Sequence, residues 1–156
     1  MIVANTMKYL ITFKIDIMNI SIEQKARITI IEHAVQDYPN ECVGFFYGHD
    51  EGDVRTITAA LPIINSKEGD QRRRFEVHPK DYLTAERYAL THDLTLLGVY
   101  HSHPDHPAIP SVHDLAQAMP FFSYIIVGVN KGVARSFTSW LLDEQQQFKQ
   151  ETISII

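Results

Sequence analysis

Cysteine is almost missing from this chain. Cys42 is the only one, so no internal disulfide can form and no cysteine-rich zinc site can be built. A reducing cytoplasm fits that usage. Long uninterrupted apolar stretches are missing too. The first twenty residues are mostly apolar, but Lys8, Lys14 and Asp16 break them and no small-residue cleavage site follows. The segment therefore reads as neither signal peptide nor membrane span. Long charge runs of one sign are also lacking: 14 Lys and Arg against 19 Asp and Glu give a net charge of −5, with no basic footprint for nucleic acid. Repeats and low-complexity segments do not occur. What is left, 156 residues at 45% apolar and 21% charged, suits one ordinary domain large enough to bury a core without staples. Met7 and Met18 are alternative starts, and residues 1–17 are expected to be an extension, an extra strand or a loose arm, ahead of a domain over 18–156.

Against that background the stretch His101 to Asp114, HSHPDHPAIPSVHD, stands out. It follows an apolar run, Leu94 to Tyr100, that reads as a buried strand. Residues two apart on a strand share a face and sit roughly 6–7 Å apart at the backbone, so His101 and His103 can reach one cation. Residues three apart at a helix start also share a face, so Ser111 and Asp114 can look back toward the same point. Pro104, Pro107 and Pro110 stiffen the loop between the two halves. Two imidazoles and one carboxylate leave the fourth tetrahedral position open, which is the ligand count of a catalytic rather than a structural zinc site. Ser111-x-x-Asp114 equally fits a helix N-cap with an acid at the third helical position. The two readings are compatible, because a hydroxyl that accepts from its helix can still donate its own proton.

The motif resembles that of the JAMM, or MPN-plus, metalloproteases: an upstream Glu, then His-x-His, seven residues, Ser, two residues, Asp. The upstream acid corresponds to Glu41 in the segment Pro39-Asn40-Glu41-Cys42-Val43-Gly44. The resemblance runs from about Ile20 to the C-terminus and is nearest to the short, free-standing bacterial members. It implies an α/β fold of MPN (JAB) architecture, similar to the cytidine deaminases, with a mixed sheet flanked by helices. It implies one zinc ion per chain on His101, His103 and Asp114. Zinc lowers the pKa of water toward ~7. The resemblance then makes Glu41 the group that takes the proton and passes it to the departing nitrogen, and Ser111 the donor to the oxygen that becomes negative.

The implied substrate is the C-terminal tail of a ubiquitin-like or sulfur-carrier protein of β-grasp fold, cut at an amide or, in a conjugation system, at an isopeptide. A homodimer is left open. A non-catalytic MPN scaffold is disfavoured because such proteins usually lose ligands and every one is present here. A zinc deaminase needs a Pro-Cys-x-x-Cys pair, which one cysteine excludes.

Periodicity supplies the remaining elements. Ser21 is expected to cap a helix over Ile22 to Tyr38, with Gln24 at its third position and Ile28, Ile31, Ala34 and Val35 inward. Strands are expected at Glu41 to Tyr47, breaking at Gly48, and at Val54 to Leu61, then a charged loop over 66–74. Pro79 to His92 reads as a second helix with Leu83, Tyr88 and Leu90 among its apolar positions, followed by the ligand strand to His103. A third helix over Ser111 to Met119 and strands at Tyr124 to Val129, Val133 to Leu142 and Glu151 to Ile156 complete the pattern. His113 should face away from Asp114 and stay on the surface. His106 sits in mid-loop and is expected to stay outside the site, with a contact to substrate as the lesser alternative. Cys42 is expected to be a small buried residue rather than a nucleophile. Arg72, Arg73 and Arg74 are either a solvated loop or a holder for a substrate tail or acidic patch.

Overall fold

The computed structural model describes residues 18–156. The expectation for residues 1–17 falls outside that range. Seven strands and three helices follow in the order β1 (Asn19–Ile22), α1 (Gln24–Asp37), β2 (Val43–Asp50), β3 (Val54–Ile63), α2 (Pro79–Thr91), β4 (Thr95–Pro104), α3 (Val112–Gln117), β5 (Ser123–Asn130), β6 (Val133–Leu142) and β7 (Phe148–Ile155). The sheet is mixed, as expected, and it also closes: the ring runs β1-β3-β2-β4-β5-β6-β7, with β1 parallel to both β3 and β7. Closure removes free sheet edges. Nothing in strand periodicity announces it, because pairing partners at long range leave no local signature.

Alternation sorts the core into two clusters. Phe46, Ile57, Leu97, Tyr100, Ile125 and Val127 join the buried face of α1, and that helix packs against β3, β4, β5 and β6. Because those strands come from both sides of the ring, α1 covers the inner surface. Phe45, Tyr47, Leu96, Val99 and Tyr124 turn the other way and pack with α2 and Phe75.

Both helices bury a different stripe from the one their larger apolar residues suggest. In α1 the buried residues are Ala26, Ile30 and Ala34, four apart, while Ile28 and Val35 are exposed. In α2 they are Ala85 and Ala89, with Leu83 and Leu90 exposed. Small side chains let a helix backbone approach a sheet closely, so the alanine stripe goes inward. Ser21 does not cap α1: it lies in β1, between the buried Ile20 and Ile22. Glu23 is the N-cap and makes no side-chain cap bond. Instead the Glu23 amide donates to the Ile57 carbonyl at 2.9 Å and the Gln24 amide to the Ile156 carbonyl at 3.0 Å. Strand ends thus satisfy orphan donors that a local cap would otherwise take.

Gly48 does not end its strand. The β2–β3 register shifts there, and a Cβ on Gly48 would collide with the Thr56 carbonyl. Glycine is what lets the bulged strand stay paired.

Two pairings place the chemistry. Antiparallel β2 and β4 set Val43 opposite His101, so continuing the register sets Glu41 opposite His103. Parallel β4 and β5 require a crossover, and that crossover carries α3 back over the C-terminal end of β4.

Candidate metal centre

Val99, His101 and His103 alternate onto the Phe75 side of β4, whereas Tyr100 and Ser102 turn toward α1 and Cys42. The Phe75 ring lies 4.6 Å from the His101 ring at 33°. His101 and His103 are almost wholly buried, at 0% and 1% exposure. His103 Nδ1 is 2.6 Å from the Pro107 carbonyl oxygen. A carbonyl can only accept, so Nδ1 carries the proton and Nε2 keeps its lone pair in the neutral ring. His101 Nδ1 is buried with no hydrogen-bond partner among the described residues. Packing rather than a second hydrogen bond holds that ring.

From the other side comes α3. Ser111 caps it as expected: its Oγ accepts from the Asp114 amide at 3.1 Å, and the Asp114 carboxylate accepts from the Ser111 amide at 2.7 Å. This reciprocal box aims the carboxylate at β4.

Three donor groups then meet. His101 Nε2 and His103 Nε2 are 3.1 Å apart, and the two Asp114 oxygens face one each: Oδ1 lies 3.2 Å from His101 Nε2 and Oδ2 3.2 Å from His103 Nε2. Zinc bonds of about 2.0–2.1 Å at tetrahedral angles place ligand atoms about 3.3 Å apart. The spacing, the lone pair on His103 and the borderline N,N,O donor set therefore fit a zinc ion, with one position left open. Electrostatics agree. Burial lowers the His101 pKa, with Asp114 opposing, which keeps the imidazole ready to ligate. Burial alone would raise the Asp114 carboxyl, yet the His101 and His103 contacts and the Ser111 amide hold it well below the usual carboxylate range.

Glu41 stands beside this triangle. It is buried at 3% exposure, and its carboxylate oxygen lies within 4.8 Å of ring nitrogens of His103 and His106. Burial first, then the Asp114 charge, pushes its carboxyl up to about 8, with Arg74 pulling the other way. The backbone of Glu41 is clamped. Its amide donates to the Gln71 carbonyl at 2.8 Å, and its carbonyl accepts from Asn65 Nδ2 at 3.0 Å. Asn65 also donates to the Arg74 carbonyl and accepts from the amides of Lys67 and Glu76.

The chain belongs to the prokaryotic JAB family. The family model described as prokaryotic homologs of the JAB domain matches residues 23–143, which takes in every donor named above. The Desampylase of Haloferax volcanii is 31% identical over 112 residues, covering 69% of this chain and 78% of its own. The probable TtuB-protein conjugate cleaving protease of Thermus thermophilus is 32% identical over 115 residues, covering 74% and 70%. The JAB fold is equally plain in solved structures. A protein from Desulfitobacterium hafniense, determined in solution, superposes with a TM-score of 0.77 at 29% identity over 88% of this chain and 92% of its own. A JAB1/MPN domain protein from Archaeoglobus fulgidus shares the fold at a TM-score of 0.56 and 17% identity, covering 87% and 98%.

All five residues singled out in the JAB motif of this chain come together. Asn65 and Phe75 carry no signal in the sequence, since their roles are to anchor and pack against residues far away in the chain; Arg74, read there only as part of a charged loop, lies near enough to Glu41 for its charge to act on that carboxyl. His106 sits closer to the centre than its mid-loop position suggests: its ring stacks on His103 at 4.2 Å and 23°. Cys42 is buried, and burial pushes its thiol up to about 12, so it is inert. Of the arginines, Arg72 is paired with Asp70 at 2.8 Å. Arg72 and Arg73 line a cleft of about 420 Å³ with Pro39, Asp70, Pro104 and Asp105, and Pro104 directly follows His103 in β4. A larger cleft of about 630 Å³ runs along α1 past His33 and Asp37, and none of the donors lines it. Among the described residues no helix is long and apolar enough to cross a membrane.

Proposed function

We propose that this JAB domain is a cytoplasmic zinc metallopeptidase that hydrolyses an amide or isopeptide bond at the C-terminal tail of a ubiquitin-like, sulfur-carrier protein of β-grasp fold. The observation that carries the reading is the buried triangle of His101, His103 and Asp114 with Glu41 next to its open side. A zinc ion held there would supply Lewis-acid polarisation of water and of the scissile carbonyl.

The remaining work falls to the side chains. Without a dication burial holds the Glu41 carboxyl up to about 8; beside one the charged form is favoured, and Glu41 can accept a proton from water. It then returns that proton to the departing nitrogen. The Ser111 hydroxyl oxygen accepts from the Asp114 amide, which leaves its hydrogen to be donated to the developing negative oxygen. The cleft lined by Arg73 and Pro104 is where we place the substrate tail, because Pro104 follows the donor His103 in the chain.

The Thermus relative is named for cleaving protein conjugates, and this favours the isopeptide form of the reaction as a second reading. The test is direct. Protein loaded with one zinc is incubated with a β-grasp carrier bearing a short C-terminal extension, and separately with a lysine-linked conjugate of that carrier, and products are weighed by mass spectrometry. Cleavage after the carrier tail in at least one substrate is expected, with Glu41→Gln retaining zinc and losing ~10²–10⁴-fold in rate. No cleavage of either by fully loaded protein, or equal rates for the Gln variant, would overturn the proposal.

A further inference from the structure

His106 carries a donor atom that the reaction above leaves unused. Its Nδ1 lies 2.8 Å from the Pro104 carbonyl oxygen. The proton therefore sits on Nδ1, and Nε2 keeps its lone pair in the neutral ring. Stacking against His103 fixes the plane of that ring. Donor atoms of Glu41, His103 and His106 lie within 4.8 Å of one another, a second group that shares His103 with the first. His103 cannot serve both groups, because Nδ1 is committed to Pro107 and Nε2 to His101 and Asp114. What remains beside the first centre is a pair, one carboxylate and one imidazole, and these are donors that zinc readily takes.

We propose that Glu41 and His106 hold a second, weaker zinc ion that occupies the general base and so inhibits the enzyme when free zinc exceeds one equivalent. The inference rests on the reading of His101, His103 and Asp114 as the catalytic centre. Weakness follows from the ligand count: two protein donors, with water filling the rest of the shell, against three in the first site. The donors must also draw together from a spacing of up to 4.8 Å to the roughly 3.3 Å that tetrahedral zinc requires. His106 is the half-buried partner on a loop and is the side able to move.

Calorimetric titration of the metal-free full chain with zinc, with elemental analysis after dialysis at fixed free zinc, tests this. Wild type is expected to take one tight and one weak equivalent. His106→Ala and Glu41→Gln are each expected to keep the tight equivalent and lose the weak one. Turnover of wild type should fall as free zinc passes the weak dissociation constant, whereas His106→Ala, scaled to its own one-zinc rate, should stay flat. A single equivalent in wild type up to millimolar free zinc, or a weak equivalent that survives both substitutions, would overturn the second site alone. Loss of the tight equivalent from wild type, or its survival in His103→Ala, would overturn the catalytic centre and the inference with it.

Discussion

At the scale of single residues, the site is built from groups held in states they would not choose in water. Glu41 is the clearest case, raised from 4.5 to about 8 by burial and by the neighbouring Asp114 charge. The sign of the consequence follows from proton counting. Between those values the unfolded carboxyl is ionised while the folded one keeps its proton, so the folded state binds more protons and loses stability as pH rises. The contribution is complete below about 4.5 and gone above about 8. Each unit is worth at most about 1.4 kcal/mol. Metal-free wild type should therefore lose a few kcal/mol relative to Glu41→Gln between about pH 5 and pH 8 in urea titrations. Zinc should shrink the gap, because a dication next to the carboxylate favours its charged form. Parallel pH profiles for the two metal-free proteins would show that Glu41 is not strained by its surroundings. Ser111 poses a different question, since capping and catalysis use different halves of one hydroxyl. Ser111→Ala removes the bond to the Asp114 amide, worth ~0.5–2 kcal/mol. The Ser111 amide still holds the Asp114 carboxylate, so zinc content should not change. Loss of an oxyanion donor should slow turnover by ~10²–10³. A destabilised but fully active variant would return Ser111 to capping alone.

At the scale of elements, what could be read from the sequence depended on how far the partners lie apart along it. His101, His103, Ser111 and Asp114 occupy one strand end, one loop and one helix start, so strand alternation and helix spacing were enough to bring them together. Glu41 joins them only through the pairing of β2 with β4, which no local pattern shows, and it was the family motif that pointed to it. Periodicity places the helices within a residue or two. Large apolar side chains outweigh alanine on any hydrophobicity scale, yet of the positions periodicity turns inward in α1, Ala34 is buried while Ile28 and Val35 are exposed. Close approach to the sheet decides the face instead, and alanine wins. The segment between β3 and α2 was legible only as a charged loop. In the structure it is folded around Asn65, whose side chain bonds the backbone of Glu41, Lys67, Arg74 and Glu76. Asn65→Ala leaves the buried Glu41 carbonyl and three partly buried backbone groups without this partner, at a cost of about 1–3 kcal/mol. Glu41 loses one of its two backbone anchors as well. Turnover should fall by up to about 10²-fold, as expected when a reacting group drifts by about 1 Å. Zinc should remain at one equivalent, since its donors sit on β4 and α3. A variant that loses stability while keeping its rate would mean that Gln71 alone positions Glu41.

At the scale of the whole molecule, closure of the ring ties the first described strand to the last. β1 is four residues long and is flanked by β3 and β7 on its two sides. The carbonyls of Ile57 and Ile156, just beyond that junction, receive the first amides of α1. Around the same seam Glu151 is buried and accepts from Ser123 and Ser139 at 3.1 and 2.7 Å, while Arg55 donates to Ser123 at 2.9 Å, linking β3, β5, β6 and β7. Closure, helix start and this polar bridge therefore share strands β3 and β7 at one junction. Ile22 is fully buried within it, in the cluster that α1 covers. Truncating it to Ala should cost about 2–5 kcal/mol, the range for a large-to-small change in a packed core. Ile28→Ala provides the control, because Ile28 is 42% exposed on the outer side of α1. It should change stability by about 0.5 kcal/mol or less. Denaturant titrations of both variants, with hydrogen exchange at α1 and at β7, separate a local effect from a global one. If the junction is cooperative, Ile22→Ala lowers protection in α1 and β7 together and by the same free energy. Protection lost in β1 and α1 but kept in β7 would show that the ring holds without its first strand, and that closure is a consequence of the fold rather than a support for it.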